Sequence, residues 1–160
     1  MRVNVQMIAA FDELYTRFSN APAAARAAAM RVMNDVGEYL WGRVRQNLSG
    51  PILKLKTGRL RDSIQYQVYE VNGMITARVF SDGTVPYSTI QEKGGTTRPH
   101  DIVVKNARAL RFEMGGRWNF AYSVHHPGSK IPEAMYMRRT MIQERTAVTR
   151  MVREGMKGTI

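Results

Sequence analysis

One apolar stripe in the first third of the chain limits its possible folds more than any other feature. The alanine-rich run from Ala21 to Met30 favours a helix, and we expect this helix to continue until Gly50-Pro51. The pattern predicts a helix of about 27 residues, which is about 40 Å long at a rise of 1.5 Å per residue. Its apolar residues recur at steps of three and four, which places them on one side of the helix: Ala25, Ala29, Val32, Met33, Val36, Leu40, Val44 and Leu48.

The segment after this helix has the alternation of a β-hairpin. Apolar and polar residues alternate from Ile64 to Val68 and again from Ile75 to Val79. Asn72-Gly73 lies between the two runs and favours a tight type I′ turn. The sequence therefore predicts two antiparallel strands joined by this turn.

The remaining elements are shorter. A helix is predicted for residues 87–93, where Gly94-Gly95 stops it, and a last helix is predicted from about Glu133. A second strand pair is expected from either 102–105 or 110–113 together with 118–124. The segment 125–132 contains Pro127, Gly128 and Pro132, so we expect it to be a loop. A short N-terminal element precedes the long helix, with apolar residues at helical spacing: Phe11, Leu14, Tyr15 and Phe18.

This order predicts an α+β fold, with the long N-terminal helix and the C-terminal helix packed on one face of a mostly antiparallel β-sheet that includes the hairpin. The 160 residues are expected to form a single domain, residues 1–160. No apolar run approaches the ~18 residues of a membrane helix, so no membrane partner is expected. Asp12 and Glu13 also lie where a signal peptide would be apolar.

Charge is the strongest compositional signal. Lys and Arg total 24 against 13 acidic residues, which gives a formal charge of +11 and predicts attraction to polyanions. Four of the basic side chains cluster in the segment 54–61, and no aromatic residue is interleaved, so a contact with nucleic acid would be independent of sequence. An exposed charged loop is the alternative interpretation. The candidate contacts with DNA or with a neighbouring subunit are Lys54, Lys56, Arg59 and Arg61, and we expect the two arginines to lie on one side of their element.

Catalytic and metal-binding motifs are not evident. The chain contains no cysteine, which excludes disulfides, thiolate metal sites and a cysteine nucleophile. His100, His125 and His126 lack the spacing of a zinc site, and adjacent histidines in a strand point to opposite faces. Ser123 has no nucleophile elbow around it. We therefore expect no enzymatic activity, no metal and no cofactor.

Three segments, in order, resemble the phage neck and tail-completion family that includes the minor tail protein Z type. Residues 57–64 read TGRLRDSI, close to the family's TGRLRxSI; residues 85–95 read VPYSTIQEKGG, close to YAxxxExGG; and residues 125–132 read HHPGSKIP, close to HHPGxxxP. After Pro132 the family has an arginine-proline-phenylalanine run, whereas this chain reads EAMYM, in which Tyr136 is expected to replace the aromatic residue.

The resemblance implies a non-enzymatic structural protein of the virion at the head–tail junction, assembled in the host cytoplasm. It implies a ring of identical subunits, hexameric in related necks. The implied partners are a connector or head-closure protein, a tail terminator or tube, and packaged double-stranded DNA bound non-specifically. The alternative left by composition alone is a cytoplasmic domain that binds nucleic acid without sequence preference.

Overall fold

The structure is a computed structural model that describes residues 7–8, 22–50, 52–53 and 57–157. The chain divides into two compact units. The first, which we call the helical unit, comprises Met1–Lys93 and Glu133–Ile160, and the second, the strand unit, comprises Gly94–Pro132. The expected N-terminal element and the segment 54–56 lie outside the described residues. The single-domain organisation stays a prediction.

The long helix, α1, extends from Ala23 to Asn47. The sequence prediction of its position and of its buried side is confirmed, because all eight residues of the apolar stripe are at most 8% exposed. All of them except Ala25 form a core with apolar residues of the other helices and strands of the helical unit, including Ile64, Val79 and Met137.

The predicted hairpin is also confirmed. It consists of β2 (Ile64–Val71) and β3 (Met74–Ser81), and a short strand β1 (Met7–Ile8) pairs with the other edge of β3. All pairings are antiparallel. Asn72 and Gly73 have φ angles of 53° and 75°, and two successive positive values are the requirement of a type I′ turn.

A glycine lies where α1 approaches this sheet. A Cβ atom added to Gly37 would lie 2.8 Å from Cδ2 of Tyr66 on β2, so a larger residue would have to displace the tyrosine ring. One turn later, Nε1 of Trp41 donates a hydrogen bond of 2.8 Å to the carbonyl oxygen of Ile64. The helix therefore packs on the face of the hairpin that the alternation of Ile64, Tyr66 and Val68 predicts.

The described part of the helical unit contains three further helices: α2 (Arg59–Asp62), α3 (Ser88–Lys93) and α4 (Tyr136–Gly155). The start of α4 at Tyr136 rather than near Glu133 has a local cause. Met135 adopts a left-handed conformation with a φ of 52°, and its backbone N–H donates to the carbonyl oxygen of Glu92 rather than within a helix. The α+β class is thus confirmed, with α1 and α4 packed together beside an antiparallel sheet.

The strand unit contains three antiparallel strand pairs. They are β4 (Gly95–Thr96) with β9 (Lys130–Ile131), β5 (His100–Val103) with β8 (Ser123–His126), and β6 (Leu110–Met114) with β7 (Arg117–Ala121). Both of the alternative strands predicted before residue 114 therefore form. The prediction of a continuous loop over 125–132 was wrong, because the prolines and glycine of this segment lie outside the strands and leave its other residues free to pair.

Gly128 allows a close contact inside the strand unit that we expect to be intolerant of any side chain. An added Cβ would lie 2.3 Å from the carbonyl oxygen of Thr97, and the φ angle of Gly128 is 89°. Gly116 has a similar φ of 75° with nothing within 4 Å, so it is a matched control for the backbone strain alone.

We therefore expect Gly128→Ala to destabilise the strand unit by about 1–3 kcal/mol more than Gly116→Ala does, the usual range for overpacking. The measurement is hydrogen exchange at the backbone amide of Thr97, which donates to the carbonyl oxygen of Ser129 in the wild type. Equal loss of protection in the two variants would show that the contact does not matter.

Helices that could cross a membrane are absent from the part of the chain that the structure describes, where every helix is too short or too polar for a span.

Candidate functional site

The position of α4 is fixed by its contacts with α1. Met137, Val148 and Val152 on its inner side are buried in the core. Polar contacts also fix how α4 lies against α1. Nδ2 of Asn47 on α1 donates a hydrogen bond of 2.7 Å to Oγ1 of Thr140 on α4. An inner side held in this way leaves the opposite side of α4 in solvent.

Glu144 forms the strongest of these polar contacts. Its carboxylate accepts hydrogen bonds of 2.6 Å from the hydroxyl of Tyr39 and from Nε of Arg43, both on α1. The hydrogen bond from Tyr39, together with Arg43, lowers the pKa of Glu144 against the opposing effect of desolvation, and the same hydrogen bond raises the pKa of Tyr39. Glu144 is therefore ionised at neutral pH and neutralises Arg43, so this pair adds no free charge to the surface.

The outer side of α4 is strongly basic. Its arginines are all exposed, and none of them forms an ion pair with a carboxylate in the described ranges of the chain. Ile142, which is 67% exposed, lies among them. We call this surface the arginine face; its charged members are Arg138, Arg139, Arg145, Arg150 and Arg153.

The basic candidates from the sequence are only partly described. Lys54 and Lys56 lie outside the described residues. Arg59 is exposed and has no ion-pair partner among the described residues, whereas Nε of Arg61 lies 3.0 Å from Oδ1 of Asp62. The expectation that the two arginines share one side was wrong, because they lie two residues apart on the short helix α2, where each residue turns the side chain by about 100°.

Glu92 is a buried residue to which the sequence analysis assigned no role. It is 1% exposed at the end of α3, and its two carboxylate oxygens accept hydrogen bonds from the backbone N–H groups of Met137 and Arg138 at 2.9 and 3.0 Å. These N–H groups belong to the first turn of α4, which has no helical partner for them. Glu92 therefore caps the helix that presents the arginine face.

Tyr136 lies beside this carboxylate and is 1% exposed, which fits the aromatic packing role expected for it. Burial, followed by the nearby Glu92, raises the pKa of Tyr136, so the phenol is neutral. Its hydroxyl donates a hydrogen bond of 3.4 Å to the carbonyl oxygen of Ser88 on α3.

The histidines of the strand unit have structural contacts. The rings of His100 and His126 stack at a centroid distance of 5.1 Å, and Nδ1 of His126 accepts a hydrogen bond from the backbone N–H of Gly128. Nδ1 of His125 lies 2.8 Å from Oδ1 of Asp101. Within the described ranges, no three side chains of metal-ligating type come together.

The hairpin of β6 and β7 exposes aromatic side chains. Trp118 and Phe120 are 59% and 68% exposed on the same face of β7, and Tyr122 follows them at 76%. The guanidinium of Arg111 lies 4.3 Å from the ring centroid of Trp118, a cation–π contact. Exposed apolar side chains grouped in this way are typical of an interaction surface.

The chain matches the model of a known protein family. The family model described as "Bacteriophage HK97-gp10, putative tail-component" matches residues 12–94, just over half of the chain. This range includes α1, the β2–β3 hairpin, α2 and α3. No curated protein and no solved structure matches the chain.

Proposed function

The chain belongs to the HK97-gp10-like family of phage tail components, and on that premise we propose that its copies form a ring at the head–tail junction, around the passage of packaged DNA. As a tail component it is a structural protein of the virion, which agrees with the resemblance in its sequence. The ring would join the tail to the filled head and would contact neighbouring neck and tail proteins.

The excess of unpaired positive charge supports a position around DNA. Six copies at +11 each would carry roughly +66, whereas duplex DNA has about one negative charge per 1.7 Å, or about 20 over a ring some 35 Å tall. Only a minority of the basic side chains therefore needs to face the passage. The remainder is available for acidic surfaces of neighbouring proteins.

Surfaces that are left unpaired in one copy support assembly. Within the described residues β2 pairs only with β3, so the other edge of this eight-residue strand is open to hydrogen bonding. The exposed aromatic residues of β7 form a second such surface. Both surfaces are therefore available for contacts with further copies or with neighbouring tail proteins.

The test is the oligomeric state together with the phenotype of a phage that lacks the protein. We expect closed rings in native mass spectrometry and electron microscopy, either for the purified chain or on contact with its tail proteins. Without the protein, filled heads and tails should accumulate separately. A chain that stays monomeric under both conditions, or particles that join and infect normally without it, would refute the proposal.

The basic residues predicted from the sequence remain candidates for the passage or for subunit contacts. We expect Arg59→Glu combined with Arg61→Glu to leave the fold intact, because the Arg61–Asp62 ion pair is on the surface and such pairs contribute ~0–1 kcal/mol. Infectious particle yield should nevertheless fall. The control is Arg31→Glu combined with Arg98→Glu, two exposed positions with the same change in charge; equal yields from the two variants would end the assignment.

A further inference from the structure

The arginine face of α4 has a regular geometry. At 3.6 residues per turn, its five arginines fall within an arc of about 140° around the helix and extend over about 22 Å along its axis. The carboxylates of this helix lie elsewhere: Glu144 is on the inner side with Arg43, and Glu154 lies beyond the edge of the arc. The arc therefore contains no carboxylate of α4, and its other residues, such as Thr146 and Thr149, are uncharged.

Its composition favours phosphate groups as the ligand. Every basic residue of α4 is arginine and none is lysine. The planar guanidinium group donates in a fork that matches phosphate oxygens. A duplex segment as long as this face, about 22 Å, carries about 13 phosphate charges, so five arginines can be matched without crowding.

The scarcity of large apolar side chains disfavours a protein partner. The core of a protein interface combines arginine with aromatic residues and methionine. This face has the arginines, but Ile142 is its one large apolar side chain. A single exposed isoleucine is ordinary on a protein surface.

The face is also held rigid before any ligand arrives. Glu92 caps the first turn of α4, and the contacts of Thr140 and Glu144 with α1 hold the helix along its length. Since the backbone is already ordered, binding orders only the side chains of the arginines.

From these observations we propose that the arginine face binds the phosphate backbone of duplex DNA without reading its sequence. The inference rests on the proposed function, since the ring brings DNA to this surface, and it assigns the contact to residues that the sequence analysis did not select.

The test measures the salt dependence of binding to a fluorescent 30-base-pair duplex of arbitrary sequence, using the full chain. If each arginine neutralises one phosphate, affinity should fall about 500-fold between 50 and 200 mM salt. Combining Arg145→Gln, Arg150→Gln and Arg153→Gln should leave a fall of only about 12-fold over the same range. The matched control, Arg98→Gln with Arg108→Gln and Arg117→Gln, removes the same charge from exposed positions of the strand unit and should keep the wild-type slope.

Light scattering on the same samples separates this inference from the proposed function. One outcome is that all variants assemble alike while the affinity of the α4 variant for DNA depends on salt as steeply as that of the control. In that case the arginine face does not bind DNA, but the proposal of a ring is unaffected. Ile142→Ser provides a further distinction. A loss of assembly onto tail proteins in this variant, with DNA binding unchanged in the α4 variant, would assign the face to a protein neighbour instead.

Discussion

Replacing Glu92 with alanine is expected to lower the free energy of unfolding by at least about 2 kcal/mol. The substitution removes the acceptors of the backbone N–H groups of Met137, which is buried, and Arg138, which is partly buried. A buried group left without a partner costs about 1–3 kcal/mol, and the partly buried one is expected to lie at the lower end of this range. Domains of this size are stable by only about 5–15 kcal/mol, so the loss is a large part of the total.

The variant Glu92→Gln tests whether the lost hydrogen-bond acceptors cause this loss of stability. Glu92→Gln keeps one oxygen acceptor but turns an NH₂ group towards the second backbone donor, so we expect an intermediate loss of stability. Glu133→Ala, at an exposed position near the same helix start, is the control and should change stability by less than about 0.5 kcal/mol. Urea unfolding followed by circular dichroism measures all three. A Glu92→Ala variant as stable as the Glu133→Ala control would show that the cap contributes nothing.

Sequence periodicity located α1 and the β2–β3 hairpin, because each is encoded by a pattern within one continuous segment of the chain. The apolar stripe of α1 repeats over many turns, and the alternation around Asn72-Gly73 fixes both the register and the turn of the hairpin. Because each pattern is repeated over many residues, the prediction does not depend on any single residue. Both elements were therefore predicted almost to their ends.

Contacts between distant residues explain what the sequence did not reveal. Glu92 is separated from the N–H groups that it caps by more than 40 residues, and a lone glutamate gives no sign of such a partner. The strands of the strand unit have two to five residues each, too few for a periodic signal. The end of β8, residues 125–126, and the whole of β9, residues 130–131, were missed for this reason.

The arginine face was not predicted from the sequence, for a different reason. Residues 54–61 were selected because their charges are adjacent in sequence, whereas the arginines of α4 are spread over 16 positions and come together only on the helix. The buried residues of α4, which include Met137, Val148 and Val152, recur at helical spacing and so define its polar side as well. Examining the polar side of the same helix for charge of one sign would have found the arginine face.

Leu40→Asp is expected to prevent accumulation of soluble protein. Leu40 is 2% exposed at the centre of the α1 stripe, within the core that α1 forms with α4 and the hairpin. Truncation to alanine at such a site costs about 2–5 kcal/mol through lost transfer energy and the cavity that remains. Aspartate creates the same cavity and adds a buried carboxylate without a partner, whose desolvation costs several kcal/mol more unless it takes up a proton.

The series Leu40→Ala, Leu40→Asp and Ile142→Asp tests this reasoning. Ile142 is also a helical aliphatic residue, but it is 67% exposed, so the same aspartate there should leave solubility and unfolding unchanged. We expect Leu40→Ala to be soluble with a lowered urea midpoint and Leu40→Asp to be found only in the insoluble fraction. Soluble, cooperatively unfolding Leu40→Asp protein would mean that α1 does not bury this side as described, and the fold on which the arginine face depends would then be wrong.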